Sequence, residues 1–379
     1  MTKPFSNFLE KFRRITSGGN YIPEIDGLRF IAIFWVVVWM HLPAMLNAHL
    51  FNGSLLMNKY AASVVLEGGQ GVPFFFMISG FILALPFIKE KTSGGQPVSL
   101  RKYYLRRLTR LEPPYLAALL ISFLLLVFYK DDSFNDQLPH LAASSVYVHN
   151  VVYNSASSVL GVAWSLEVEV QFYLLAPFLC FIFLIRQRLM RRLLLALLIV
   201  LSALYAWNSL WQQPAILPNF VCYFFSGMLL ADLYSSRHKL KLDNSIGFAT
   251  GAIILLASPF VISLHTVWLF LLKLLLLFAA FYFVLFNDRL RKLMSRRWIT
   301  IIGGMCYSIY LLHVLIISGV SQGLLSLLII DGPLGIFFYG LILILAVLIF
   351  SAVFYRLIEQ PCMRKGWWRA IFRRKEIWT

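Results

Sequence analysis

Charge is scarce in this 379-residue chain: Asp, Glu, Lys and Arg make up 13% of it, against 60% hydrophobic residues. Apolar stretches of about 18 residues or more recur, the length that spans a bilayer, and the chain reads as an all-α polytopic membrane protein. Acidic residues are fewer than basic ones, 17 against 34, which leaves a formal charge of +17. Cysteine is rare too: Cys180, Cys222 and Cys306 fall in apolar runs and Cys362 in the tail. None forms a close pair with metal-ligand spacing, so they read as small packing residues and no metal site is expected. Internal repeats, low-complexity tracts and a loop long enough for a soluble domain are absent; the longest outer loop, Lys130 to Ala163, is too short for one.

Ten spans are expected. They run Gly27 to Asn47, Gly71 to Ile88, Pro114 to Tyr129, Trp164 to Ile185, Leu193 to Leu210, Leu217 to Leu233, Ile246 to Leu264, Thr266 to Phe286, Trp298 to Ser318 and Leu334 to Ile358. Thirty of the 34 Lys and Arg then lie on one side, with Lys59 and Lys130 opposite and Arg29 and Lys273 inside spans. The positive-inside rule puts both termini in the cytoplasm and accounts for the charge, so no nucleic-acid partner is needed. The first span has no small-residue cleavage site and is expected to stay. Before it, Phe5, Phe8, Leu9 and Phe12 alternate with Lys11, Arg13 and Arg14. Residues 1–20 thus read as a short helix on the inner leaflet or a plain basic tail. Residues 21–361 form the membrane domain and 362–379 a basic cytoplasmic tail.

Ionisable residues inside the spans carry the functional signal, because they are costly in hydrocarbon and usually serve chemistry or transport. At ~1.5 Å per residue, His41 lies ~9 Å, Glu169 ~8 Å, Lys273 ~10 Å and His313 ~8 Å below the outer ends of their spans. Four titratable residues from four helices are therefore expected in one plane. Each also has an ordinary reading. His313 could hydrogen-bond to a neighbouring helix, and Lys273 could snorkel outward. His41 and Glu169 resist this, since a buried carboxylate needs a partner and an imidazole suits proton transfer. At the inner face Arg107 and Arg110, three apart, share a helical face where span three begins. Arginine forks suit phosphates, and with Arg29 they would make a cationic mouth for a long, thin phosphorylated ligand. Ordinary inner-face flanking is the alternative.

These strings together resemble acyltransferase family 3, the integral-membrane acyltransferases that modify bacterial surface polysaccharides and related glycosides. The resemblance rests on Ile25-Asp26-Gly27-Leu28-Arg29 followed by the span with His41, on Phe74 to Phe81 (FFFMISGF), and on Arg107-Leu-Thr-Arg110 with Pro113. It continues through Trp164 to Tyr173 (WSLEVEVQFY), Tyr307 to His313 (YSIYLLH) and Ile358-Glu-Gln-Pro361. It covers nearly the whole chain, and the shared order of the strings is what makes it specific.

The resemblance implies that cytoplasmic acyl-CoA, usually acetyl-CoA, gives its acyl group to a hydroxyl of a glycan or lipid-linked saccharide at the outer face. Acyl-CoA is then a cosubstrate, with no bound cofactor and no metal. Arg107 and Arg110, with Arg29, would hold coenzyme A phosphates. His41 would be the general base and Glu169 would orient or balance it, while Lys273 or His313 could stabilise the developing oxyanion. Supporting places fall to Asp26, Ser79, Trp164, Glu167, Tyr173 and Tyr310, with close helix packing the simpler role for Ser79. No fused extracytoplasmic domain is expected, leaving direct transfer or a separate extracytoplasmic partner protein. The expected location is the inner (plasma) membrane.

This chain departs from the family pattern twice. Family members often carry serine where Glu167 stands and a second glutamate where Val170 stands. The family also leaves ten residues between the first-span arginine and histidine, whereas Phe30 to Met40 makes eleven. At about 100° per residue, a regular helix would turn His41 about 120° away from Arg29. A one-residue π-type widening within Phe30 to Met40 would absorb the insertion; otherwise the two residues work at separate depths. The rival function is a proton-coupled transporter or exporter, because buried His, Glu and Lys also build proton relays. It predicts matched halves with broken helices, and the sequence carries no such pair.

Overall fold

The computed structural model describes residues 10–15, 21–50, 59–209, 214–236, 245–258, 266–325, 332–364 and 366–367. In chain order the main helices are α1 (Pro23–Ala48), α2 (Ala62–Thr92), α3 (Leu100–Tyr129), α4 (Ala163–Leu184) and α5 (Arg188–Ser209). They continue as α6 (Val221–Ser235), α7 (Ser245–Ala257), α8 (Val267–Phe286), α9 (Cys306–Gly323) and α10 (Gly332–Cys362). Eight are long and apolar enough to cross a membrane, while α6 and α7, of 15 and 13 residues, are apolar but shorter. No strand occurs among the described residues. The chain is an all-α polytopic membrane protein, and exposed apolar side chains such as Phe128, Leu201 and Phe350 present its surface to lipid.

Several boundaries differ from expectation for physical reasons. Helix α2 begins nine residues before Gly71, at Ala62, and so takes Glu67 into the span. Helix α3 begins at Leu100 rather than Pro114, because Ser99 caps it and the Pro113-Pro114 pair is accommodated inside the helix. Prolines are tolerated there because neighbouring helices and side chains satisfy the freed carbonyls. Arg107 and Arg110 therefore belong to α3 itself. The ninth span divides at Met305 into a short helix, Arg297–Gly304, and α9. The ends expected at Leu210 and Leu264, the residues Phe5, Phe8 and Leu9, and most of the basic tail lie outside the described residues.

Helix α1 opens on Pro23, whose missing N–H is harmless at a first helical position. Over Trp35–His41 its hydrogen bonding widens to five-residue steps, with the Leu42 N–H donating to the Val37 carbonyl. The extra residue between Arg29 and His41 is absorbed there. Gly68 lies against this turn, where a Cβ would meet the Trp35 carbonyl and the Met40 nitrogen.

Helices α2 and α6 pack closely against each other. Gly80 sits on the Phe224 carbonyl and Gly227 on the Met77 carbonyl, small-residue packing of the kind that joins helices in lipid. Phe224 then stacks on Phe172 at 3.9 Å and on Phe76 at 4.9 Å between ring centroids. That aromatic column ties α4 to the α2–α6 pair.

Adding one methyl at Gly227 would push against backbone, which cannot rotate away. Gly227→Ala is expected to lower the thermal midpoint of the detergent-solubilised protein, corresponding to about 1–3 kcal/mol of overpacking. Gly319→Ala, with open space around the added carbon, is the control and should leave the midpoint unchanged or slightly raised.

Candidate functional site

One cavity, about 190 Å³, runs between α2, α3, α4, α9 and the N-terminal end of α1. One end carries Arg14, Arg29, Arg107 and Arg110, and apolar residues such as Val72, Phe75, Ile82 and Leu166 line much of the remainder. Each arginine is delivered differently. Arg29 comes from the first turns of α1, where Asp26 holds its guanidinium at 2.6 Å. Arg14 comes from the segment ahead of α1 and reaches the same Asp26 oxygen at 2.9 Å. Tyr21 donates to the other Asp26 oxygen at 3.0 Å. Burial and the Asp26 carboxylate push the Tyr21 phenol up to about 12, so it remains a donor. Arg107 lies 5.5 Å from the Tyr173 ring centre, within cation–π range.

Two carboxylates also line this cavity. Glu169 accepts from the Ser79 hydroxyl, so Ser79 is a polar cavity residue and not only a packing residue. Close packing in this stretch falls instead to the neighbouring Gly80. Glu359, at the arginine end, accepts from both the backbone N–H and the hydroxyl of Ser308.

The histidines form a separate pair next to the cavity. His41 Nδ1 lies 3.0 Å from the Val36 carbonyl and 3.1 Å from His313 Nε2. His313 Nδ1 in turn lies 2.8 Å from the Tyr310 carbonyl and 3.1 Å from that of Ile309. A carbonyl can only accept, so in the neutral pair His313 Nδ1 bears its proton and Nε2 is an acceptor. His41 Nδ1 must then bear the proton that Val36 and His313 share. The lone pair of His41 is thereby fixed on Nε2, a tautomer assigned from the hydrogen-bond network. Tyr310 connects pair and cavity: its ring centre is 5.8 Å from that of His313, it lines the cavity, and its hydroxyl meets Ser165 at 2.6 Å.

The four-residue polar plane resolves into three separate partnerships. His41 pairs with His313, Glu169 with Ser79, and Lys273 with Glu67 of α2. The expected contact between Glu169 and His41 is not formed. Lys273 does not snorkel; it is 1% exposed and lies away from the cavity. Depth counting places residues along a helix axis but leaves open which way each one faces, and this is why the plane comes apart. His313 turns its one N–H to backbone carbonyls, so it is not aimed at an oxyanion.

Two supporting residues face elsewhere. Trp164 joins the aromatic column through Phe220 at 5.4 Å. Glu167 is fully buried and accepts the Asn150 N–H at 2.9 Å, on the side of the short helix His149–Tyr153. Arg14 and Glu67 are the residues that motif reading missed. Glu67 is the lone acid in the apolar run from Ala61 to Ile88, a signal matching the lone Lys273 of α8.

A family model described as an acyltransferase domain matches residues 22–356. The chain is 26% identical over 378 residues to the O-acetyltransferase OatA of Staphylococcus aureus strain NCTC 8325 / PS 47, with 92% of this chain covered. OatA of strain COL matches to the same extent, and a protein of strain COL named as a candidate O-acetyltransferase matches at 26% over 392 residues. The chain spans 58% of the length of these relatives. No solved structure matches it.

The Glu67 and Lys273 pair makes a stability prediction separate from activity. Lys273→Met leaves a buried carboxylate uncompensated and is expected to cost about 3–5 kcal/mol. The double variant Glu67→Leu/Lys273→Met should recover most of that loss in a thermal-melt comparison. A double variant no more stable than Lys273→Met would mean that the pair is not the source of the loss.

Proposed function

Because the chain belongs to acyltransferase family 3, we propose that it carries an acyl group, acetyl in the first instance, from cytoplasmic acyl-CoA to a sugar hydroxyl of a cell-surface glycan or glycoconjugate. The observation that carries this reading is the order of groups along one path. Four arginines stand at one end, a mostly apolar throat with Ser79 and Glu169 follows, and the lining residue Tyr310 lies against the His41–His313 pair, whose free nitrogen is His41 Nε2. A coenzyme A thioester has the matching order of polyanion, thin arm and neutral acyl group. The inner arginines favour the cytoplasmic membrane, with the donor entering from inside.

The reaction needs a base and no change of oxidation state. The acceptor oxygen attacks the thioester carbonyl while His41 Nε2 takes the hydroxyl proton. The C–O bond of the ester forms, the C–S bond breaks, and the proton returns to the leaving sulfur to give free coenzyme A thiol. His313 acts through His41: its Nε2 accepts a hydrogen bond from the His41 Nδ1–H and steadies the imidazolium that forms, in the manner of the acid that orients a catalytic histidine. Arg29, Arg107 and Arg110 hold donor phosphates through forked hydrogen bonds. Glu169 and Ser79 face the donor arm in the throat, where Glu169 offsets the charge of the arginines. Direct transfer and relay through a separate extracytoplasmic partner both fit this arrangement.

The test is release of free thiol from acetyl-CoA by the purified protein, with and without a saccharide acceptor. His41→Ala is expected to lose about 10²- to 10⁴-fold, the usual worth of a positioned base, while keeping its thermal midpoint. His313→Gln, whose amide oxygen can still accept from Nδ1, should lose less than His313→Ala. Equal turnover in His41→Ala and the parent protein would remove His41 from the chemistry.

A further inference from the structure

The family domain begins at residue 22, yet one of the four cavity arginines lies eight residues before it. Arg14 belongs to the segment 10–15, which is fastened to the inner end of the bundle by several contacts. The Gln360 side-chain amide donates to the Lys11 carbonyl at 2.8 Å and the Arg13 carbonyl at 3.1 Å. Arg297 pairs with Glu10 at 2.9 Å. These bonds fix the backbone at Lys11 and Arg13, and the side chain that follows, Arg14, reaches the cavity.

The charge around Arg14 exceeds what the protein itself neutralises. Four guanidinium groups share the cavity with two lining carboxylates and with Asp26 behind them. A single Asp26 oxygen serves both Arg14 and Arg29. Glu359 is engaged by Ser308 and Glu169 by Ser79. Arg107 and Arg110 make no ion pair among the described residues, and the buried Arg14 Nε has no hydrogen-bond partner. Holding a fourth cation among three others is unfavourable unless an anion joins them. A buried N–H left unpaired also costs free energy.

We propose that the segment 10–15 is part of the donor site, and that Arg14 binds a phosphate of the thioester donor alongside Arg29, Arg107 and Arg110. This rests on the acyl-CoA reading above and extends the site beyond the family domain. The ligand class is a nucleotide-bearing thioester with several phosphates. A phosphomonoester alone carries about −1.5 to −2 near neutral pH, so such a ligand supplies enough charge for all four guanidinium groups. Asp26 then positions Arg14 and Arg29 by holding one N–H of each, leaving the other forks for phosphate oxygens.

Binding to the purified full chain separates the cases when acetyl-CoA is compared with S-acetylpantetheine, which has no phosphate. Arg14→Gln is expected to weaken acetyl-CoA binding about 10- to 100-fold, the worth of a charge-assisted hydrogen bond, and to leave acetylpantetheine binding unchanged. Arg14→Lys, which keeps the charge and the Asp26 pair, should fall between. Unchanged acetyl-CoA affinity in Arg14→Gln overturns this proposal while the donor reading stands. Equal weakening of both ligands also overturns it, because Arg14 would then be structural. Failure of the parent protein to bind acetyl-CoA overturns the donor reading itself. One measurement needs no variant: hydrogen exchange in residues 10–15 of the parent protein should slow with acetyl-CoA and not with acetylpantetheine. Exchange that ignores acetyl-CoA rules the segment out of the site.

Discussion

One widened turn in α1 decides where the His41 side chain lies. Eleven residues separate Arg29 from His41, and a regular helix would aim their side chains about 120° apart. Over Trp35–His41 the backbone takes five-residue steps instead, so one residue is spent without advancing the facing of the helix. His41 then meets His313 of α9, and its own helix supplies the Val36 carbonyl as a second acceptor. The wider turn needs room beside it. Gly68 provides this, because a side chain at that place would run into the Trp35 carbonyl and the Met40 nitrogen. A tight turn over Glu67–Gln70 sets Gly68 there, and the same turn carries Glu67 to Lys273. The buried ion pair and the histidine pair are therefore linked through one short piece of α2.

Two sets of buried charges elsewhere in the bundle are closely partnered, as a medium of low dielectric favours. Asp232 of α6 takes both Arg191 and Arg192 of α5, and Glu67 takes Lys273. These pairs hold helices together and line no part of the arginine-lined cavity. The arginines of that cavity are different, since their number exceeds the acids beside them and two of them make no ion pair among the described residues. A local excess of unpartnered cation marks a place that an anion completes.

Much of the architecture was legible from hydropathy, because a span of apolar residues has few other fates. The family was legible from ordered motifs. The extra residue before His41 was visible as a count, and the physical remedy for it, a widened turn, is the one found. Partnerships were not legible. Counting rise along an axis ignores rotation about it, so His41 and Glu169 looked like neighbours although each bonds to a different helix. Ser79 was assigned to packing because it is small and precedes Gly80, yet its hydroxyl reaches Glu169. Glu67 escaped because the second span was started at Gly71, and a carboxylate outside the hydrocarbon needs no partner. Arg14 escaped because one arginine in a basic stretch looks like ordinary inner-face flanking.

The separation between the arginines and the histidine pair has a simple electrostatic reason on the proposed reading. Carrying a phosphate through hydrocarbon would remove it from water at a cost of several kcal/mol per charge. The acyl carbonyl is neutral and crosses the same distance cheaply. An arrangement that anchors the polyanion at the inner end, and lets only the thin arm and acyl group extend upward, never moves a charge into the bilayer. The base must then stand beyond the throat and must itself be neutral before reaction, because an imidazolium there would be costly and could accept no proton. A carboxylate beside His41 would favour the charged ring. The neutral His313 does not, and by accepting a hydrogen bond from Nδ1–H it keeps the lone pair on Nε2. The absence of a Glu169 contact at His41 is thus compatible with a base that waits uncharged in the membrane.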